Sequence, residues 1–134
     1  MMKAAFFRQH GDSSVLEYGD LPEPVAAPDE VLVRVHAAAL NHLDLFVREG
    51  LPGLKLQFPH IGACDIAGEV AAVGEAVTGW NEGDHVIVNP SLWCGVCESC
   101  IAGEESLCER YQIIGEHVSG GAAEYIAVPA QNLY

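Results

Sequence analysis

Four of the chain's five cysteines fall within residues 94–108, CGVCESCIAGEESLC. Cys94, Cys97, Cys100 and Cys108 follow the spacing C-x2-C-x2-C-x7-C. Ligands two residues apart reach one ion through a tight turn, and the longer return loop closes the fourth corner of a zinc tetrahedron. Gly95 and Gly103 relieve the backbone where it must fold round the metal. With every corner filled, no position is left for water or substrate, so the predicted role is structural. A redox Cys-x-x-Cys would open a helix in a βαβ setting, which this pattern lacks.

Composition narrows the partners. Six basic residues against nineteen acidic ones leave a net charge of −13. That excludes the basic face a nucleic-acid surface needs, and with it a zinc-ribbon module; it also disfavours anionic membranes. No apolar run reaches the roughly 18–20 residues of a membrane span, and the apolar patch before Arg8 is too short for a secretory signal. Clustered cysteines in odd number fit a reducing compartment, so a soluble, cytoplasmic protein is expected.

The elements that must carry the cysteine lobe are mostly strands. Residues 2–7 (MKAAFF) open an apolar segment, and 31–37 (VLVRVHA) alternate, with Val31, Val33 and Val35 on one face. Further strands are expected at 66–73, 85–88 and 124–128, with Gly68 marking a bulge or a close backbone approach. Pro22, Pro24 and Pro28 form an extended link, and residues 79–84 (GWNEGD) form a turn. One helix is predicted over 41–49 (NHLDLFVRE), with Asn41 as N-cap, Asp44 as its capping acid, Gly50 as C-cap and Leu43, Phe46 and Val47 on its inner face. A second helical turn is expected within 98–107. Short strands between Gly/Pro turns indicate a mainly β barrel or sandwich in one domain.

Beyond the lobe, three segments carry a family resemblance: 31–49 (VLVRVHAAALNHLDLFVRE), 58–74 (FPHIGACDIAGEVAAVG), and the GDHV turn with its VIV continuation. Together they resemble the medium-chain dehydrogenase/reductase superfamily, the zinc-type alcohol dehydrogenases and quinone reductases. The resemblance implies a GroES-like β-barrel with short helices and a structural-zinc lobe over residues 1–134. It also implies that NAD or NADP binds to a Rossmann domain of a longer chain, since no G-x-G-x-x-G opens a helix here. The expected partners are then a small-molecule substrate, that Rossmann domain and further copies in a homo-oligomer, with no nucleic acid and no membrane. By itself the chain is expected to be inactive.

The resemblance places the catalytic positions at Asn41, Asp44, Cys64 and Asp65. Asn41 stands where alcohol dehydrogenases have their first catalytic-zinc cysteine, and Cys64 and Asp65 stand at the His-Glu pair. Asn41 and Asp44 also match the quinone-reductase branch, which works without catalytic zinc. His42 falls at a position near the cofactor pyrophosphate. Each has a plainer reading: Asn41 and Asp44 as helix cap, Cys64 as a packed thiol, His60 as a polar surface or capped core residue rather than a ligand, His42 as an exposed helix residue. The reaction implied is hydride transfer between nicotinamide and an alcohol, carbonyl, enone or quinone. The alternative from another class is a non-enzymatic GroES-like zinc module.

Overall fold

The computed structural model describes all 134 residues. Strand covers 37% of the chain and helix 16%, so the fold is mainly β as expected. β1 (Met2–Phe7) pairs antiparallel with β2 (Leu16–Leu21) and, at its far end, with the short β4 (His60–Ile61). The larger sheet runs β6-β5-β3-β9, from β3 (Glu30–Ala39), β5 (Asp65–Val73), β6 (His85–Val88) and β9 (Tyr125–Pro129). β7 (Ser91–Leu92) and β8 (Gln112–Ile113) pair at the base of the cysteine lobe.

Residues 122–124 join the two main sheets. Ala5 N donates to Ala122 O, Glu124 N to Lys3 O, and Val35 N to Glu124 O, at 2.8, 3.0 and 2.8 Å. The alternation in β3 puts Val31 and Val33 wholly inside, where they pack with Ile66, Val70, Val86 and Val128. This is the barrel core, supported by apolar burial on one face of each strand. A smaller cluster of Met2, Ala4, Phe6, Leu21 and Ile61 lies under β1.

Gly68 carries out both expected roles. A Cβ there would collide with the backbone carbonyl of Arg34, and the register of β3 on β5 slips between Val35 and Ala37 directly opposite. His36 is the extra, bulged residue. Gly68→Ala must force the two central strands apart and is expected to cost about 3 kcal/mol, at the top of the range for overpacking. Urea denaturation checks it; a loss below about 1 kcal/mol would show that the sheet yields more easily than its backbone contact implies.

The helix differs from expectation in one respect. α1 (His42–Glu49) has Asn41 as N-cap in a capping box with Asp44, and Gly50 ends it with φ of 105°. Val47 is fully buried, but Phe46 is about half exposed at 51%. The inner stripe is therefore narrow, because α1 lies on the barrel rim and not across its core. The second helical segment divides into α2 (Glu98–Ile101) and a 3-10 turn at Glu105–Leu107. The proline link follows β2, an edge strand that lengthens the N-terminal hairpin. No helix is long and apolar enough to cross a membrane.

His60 is buried in β4 at 1% exposure, and its Nε2 donates to Gly115 O at 3.0 Å. Of its two plain readings, surface or capped core residue, the core one holds. Burial is the main cause pulling its imidazolium below the ordinary value of 6.5, against the Gly115 carbonyl, which favours the charged form. A lowered folded-state value means that stability is intact above about 6.5 and is lost as pH falls towards the folded value. Denaturation curves from pH 8 to 5 should show this loss, and His60→Gln should flatten the slope. An unchanged slope would assign the acid sensitivity to another group.

Candidate active site and metal centre

The lobe is built almost without a core: neither α2 nor the following 3-10 turn has a buried residue, while Cys108 is buried. What converges instead is sulfur. The four Sγ atoms lie within 4.8 Å of one another, and Cys94 Sγ is 3.9 Å from Cys100 Sγ. A tetrahedron with zinc–sulfur bonds of about 2.3 Å has edges of about 3.8 Å. A disulfide needs about 2.05 Å, so this spacing suits a shared ion and not that bond.

Backbone donors point at these sulfurs. Cys97 N donates to Cys94 Sγ, and Cys94 N and Arg110 N donate to Cys108 Sγ, each at 3.3 Å. Amides of Cys100 and Glu109 hold the Cys97 thiol down to about 6, and amides of Val96 and Cys97 lower Cys94. Cys100 moves the other way, to about 12, chiefly from desolvation and then from its neighbouring thiols. Four sulfurs become thiolates together only round a cation. The set fits a structural zinc.

The second constellation sits where β3 gives way to α1 and β4 to β5. Asn41 Nδ2 is 2.9 Å from Asp65 Oδ2 and 3.4 Å from Cys64 Sγ. A carboxylate accepts only, which fixes the amide nitrogen on that side. Asp44 ties the two segments: its Oδ2 accepts from Asn41 N at 2.8 Å, and its Oδ1 from Ala63 N at 2.7 Å. Ala63 takes the left-handed conformation, with φ of 70°, which aims the following residues back at the helix.

Asn41, Asp44, Cys64 and Asp65 are thus brought together, whereas His42 lies exposed beside them, its ring stacked on Phe46 with centroids 6.5 Å apart. Cys64 is 8% exposed. Burial is the main cause raising its thiol, with Asp65 adding to the effect, so at neutral pH it stays protonated. Sequence reasoning missed Gly62 and Ala63 as the support of this site. Gly62 itself was a signal: a Cβ there would stand 3.0 Å from Asp44 Oδ1.

Two cavities are relevant, and only the first borders the knot. One of about 550 Å³ is mostly apolar and includes Asp44, Gly62 and Ala63 in its wall. The other, about 470 Å³, lies between residues 51–55 and 112–117 and is lined by Lys55, Gln112, Glu116 and His117 among others. Gly115, in the wall of the first cavity, packs on the Cys64 turn: a Cβ on it would stand 2.9 Å from Ala63 C and 3.1 Å from Cys64 N.

Comparison with known proteins agrees with this architecture. Residues 27–134 match the alcohol dehydrogenase GroES-like domain. The chain is 39% identical over 133 residues to an alcohol dehydrogenase of Moraxella sp. (strain TAE123), covering 96% of this chain and 38% of that protein. Among solved structures, an NAD-dependent alcohol dehydrogenase is 52% identical with a TM-score of 0.95, covering 99% of this chain and 39% of the other. A cobalt- and zinc-bound thermostable alcohol dehydrogenase from Pyrobaculum aerophilum is 40% identical with a TM-score of 0.91, covering 98% and 40%. The chain therefore spans about two fifths of each of these relatives. With its GroES-like fold and four-sulfur lobe, it belongs to the alcohol dehydrogenase GroES-like domain family of the medium-chain dehydrogenase/reductases.

Proposed function

We propose that residues 1–134 form the substrate-side catalytic domain of an NAD(P)-dependent oxidoreductase of alcohol dehydrogenase or quinone/enone reductase type. A Rossmann domain of the same full-length chain supplies the nicotinamide. The observation that carries this reading is the Asn41 amide, shared between Cys64 Sγ and Asp65 Oδ2 and fixed by Asp44. Three polar groups held this firmly at the meeting of two segments exceed what a helix cap requires.

The nicotinamide, when bound, supplies or accepts the hydride. The chain's own part is orientation and proton handling. A small alcohol or carbonyl is held against this knot, where its oxygen meets the S–H of Cys64, the two amide hydrogens of Asn41 being taken by Cys64 Sγ and Asp65 Oδ2. Asp65 is exposed at the head of β5, so its carboxylate takes the hydroxyl proton and passes it to water. His42, at the first position of α1 where the helix dipole favours anions, lies ready for the cofactor pyrophosphate.

The same donor set argues for a hydrogen-bonding site over a second zinc. Asn41 presents N–H to both Cys64 and Asp65, and an amide nitrogen turned that way offers a metal no ligand atom at this corner. In the full-length enzyme, Asn41→Asp keeps a capping oxygen but loses the donor and sets a second charge against Asp65. It is expected to lower kcat by about 100-fold, the scale of a displaced or lost positioning group, with zinc content unchanged at about one per chain. Undiminished kcat, or a zinc content near two, would overturn this reading.

A further inference from the structure

On the outer face of the large sheet, Tyr125, Arg34, Glu69 and His85 form one cross-strand row through β9, β3, β5 and β6. The bulge in β3 adds His36 beside that row. Its Nε2 lies 3.6 Å from Glu69 Oε2, and the His36 and His85 ring centroids are 6.2 Å apart. Neither histidine nor Glu69 takes part in the zinc lobe or the Asn41 knot. The three come from three adjacent strands, so the sheet itself fixes their spacing.

The geometry points to a surface site for a divalent transition metal, with His36, Glu69 and His85 as ligands and open positions left to water. Imidazole nitrogen and carboxylate oxygen each bind such ions at about 2.1 Å, which puts two ligands of one tetrahedral ion about 3.4 Å apart. The 3.6 Å between His36 and Glu69 is already close to that. His85 stands further off than the 4.8 Å that groups the four cysteine sulfurs, so its ring must swing in by about 1.4 Å or more, a rotation open to an exposed side chain.

Glu69 is prepared for the role by Arg34. The guanidinium donates to Oε1 at 2.7 Å and to the Tyr125 hydroxyl at 3.3 Å, so it holds the carboxylate from one side. Oε2 is left facing His36. This is the arrangement of a ligand steadied by an outer partner, which keeps one oxygen free for the ion. The net charge of −13 draws cations to the surface as a whole, and the bulge supplies the local selectivity. Two imidazoles with a carboxylate suit zinc, nickel and copper and not magnesium or calcium.

Nickel is the practical probe, used on protein already loaded with zinc so that the four-cysteine lobe is filled. Calorimetric titration with Ni²⁺ at pH 7.5 should show one saturable equivalent. His36→Ala and His85→Ala should each weaken it by more than about tenfold, and Arg34→Ala by about tenfold through loss of the outer partner. His42→Ala should leave it unchanged, and zinc retained by all variants shows that the lobe is untouched. Absence of saturable binding in the wild-type protein, or equal affinity in the His36→Ala/His85→Ala double variant, would overturn the assignment.

Discussion

Cys100→Ser is expected to strip the lobe of zinc and unfold it, leaving the barrel standing. The local structure cannot persist on other grounds. α2 has four residues, far short of a helix stable by itself, and the following 3-10 turn has three. Val96, Ile101 and Leu107 are 70%, 77% and 64% exposed, so apolar burial contributes almost nothing there. Against this, a four-thiolate zinc site supplies an apparent binding free energy of about 10–16 kcal/mol at neutral pH. The barrel core of Val31, Val33, Ile66 and Val70 lies outside the lobe and shares no ligand with it.

Two measurements separate these units. Metal analysis should fall from about one zinc per chain to near zero. Hydrogen exchange should rise at the amides of Cys97 and Arg110, which donate to Cys94 and Cys108 sulfurs, while the β3–β5 amides stay protected. A lobe that stays protected without zinc would mean that packing, not metal, holds it. Loss of the barrel as well would mean that the lobe is part of the cooperative core.

How far the sequence foretold this structure varies with the range of the interaction. β3 was legible because Val31 and Val33 alternate with residues turned outward, and the cysteine lobe because its spacing carries the ligand geometry. β2 was not, since its six residues are exposed but for Leu21 and half-buried Gly19, and an edge strand shows little hydrophobic period. β4 is two residues long and exists only through its pairing with Phe6 and Phe7. Phe46 looked internal by helical spacing, but the barrel presents no surface to that side of α1.

The candidate site divides in the same way. Asn41, Asp44, Cys64 and Asp65 were named by position along the chain. Nothing local shows that Asp44 reaches across nineteen residues to the amide of Ala63. Long-range hydrogen bonds leave no period and no spacing rule in the sequence. The bulge that turns His36 towards Glu69 is equally silent, because it depends on register between two strands.

That concealed tie carries the second large prediction. Asp44 accepts the backbone N–H groups of both Asn41 and Ala63, one on each carboxylate oxygen. Hydrogen bonds to a charged group contribute about 1.5–3 kcal/mol each, so Asp44→Ala should destabilise the protein by about 3 kcal/mol or more. For a domain of this size that is roughly 10 °C in Tm. Asp44→Asn should recover less than its shape suggests: one acceptor becomes an NH₂ donor facing a backbone donor. Asp65→Asn, at an exposed position and still offering an oxygen to Asn41 Nδ2, should cost less than Asp44→Ala and serves as the comparison.

The consequence for chemistry goes beyond stability. Ala63 is held at φ of 70°, a conformation that a side-chain-bearing residue keeps only when its surroundings impose it. With Asp44 removed, Ala63 keeps only its carbonyl bond to Gly121 N, and the turn is expected to relax and shift Cys64 relative to Asn41. Full-length Asp44→Ala enzyme should then lose about 100-fold in kcat even at temperatures where it is fully folded, because a displacement near 1 Å suffices for that loss. Zinc content should not change, since no lobe residue touches Asp44. Normal kcat with lowered Tm would reduce Asp44 to a helix cap and separate the knot from catalysis. Normal Tm with lowered kcat would mean that Asp44 acts on substrate directly and not through the Ala63 turn.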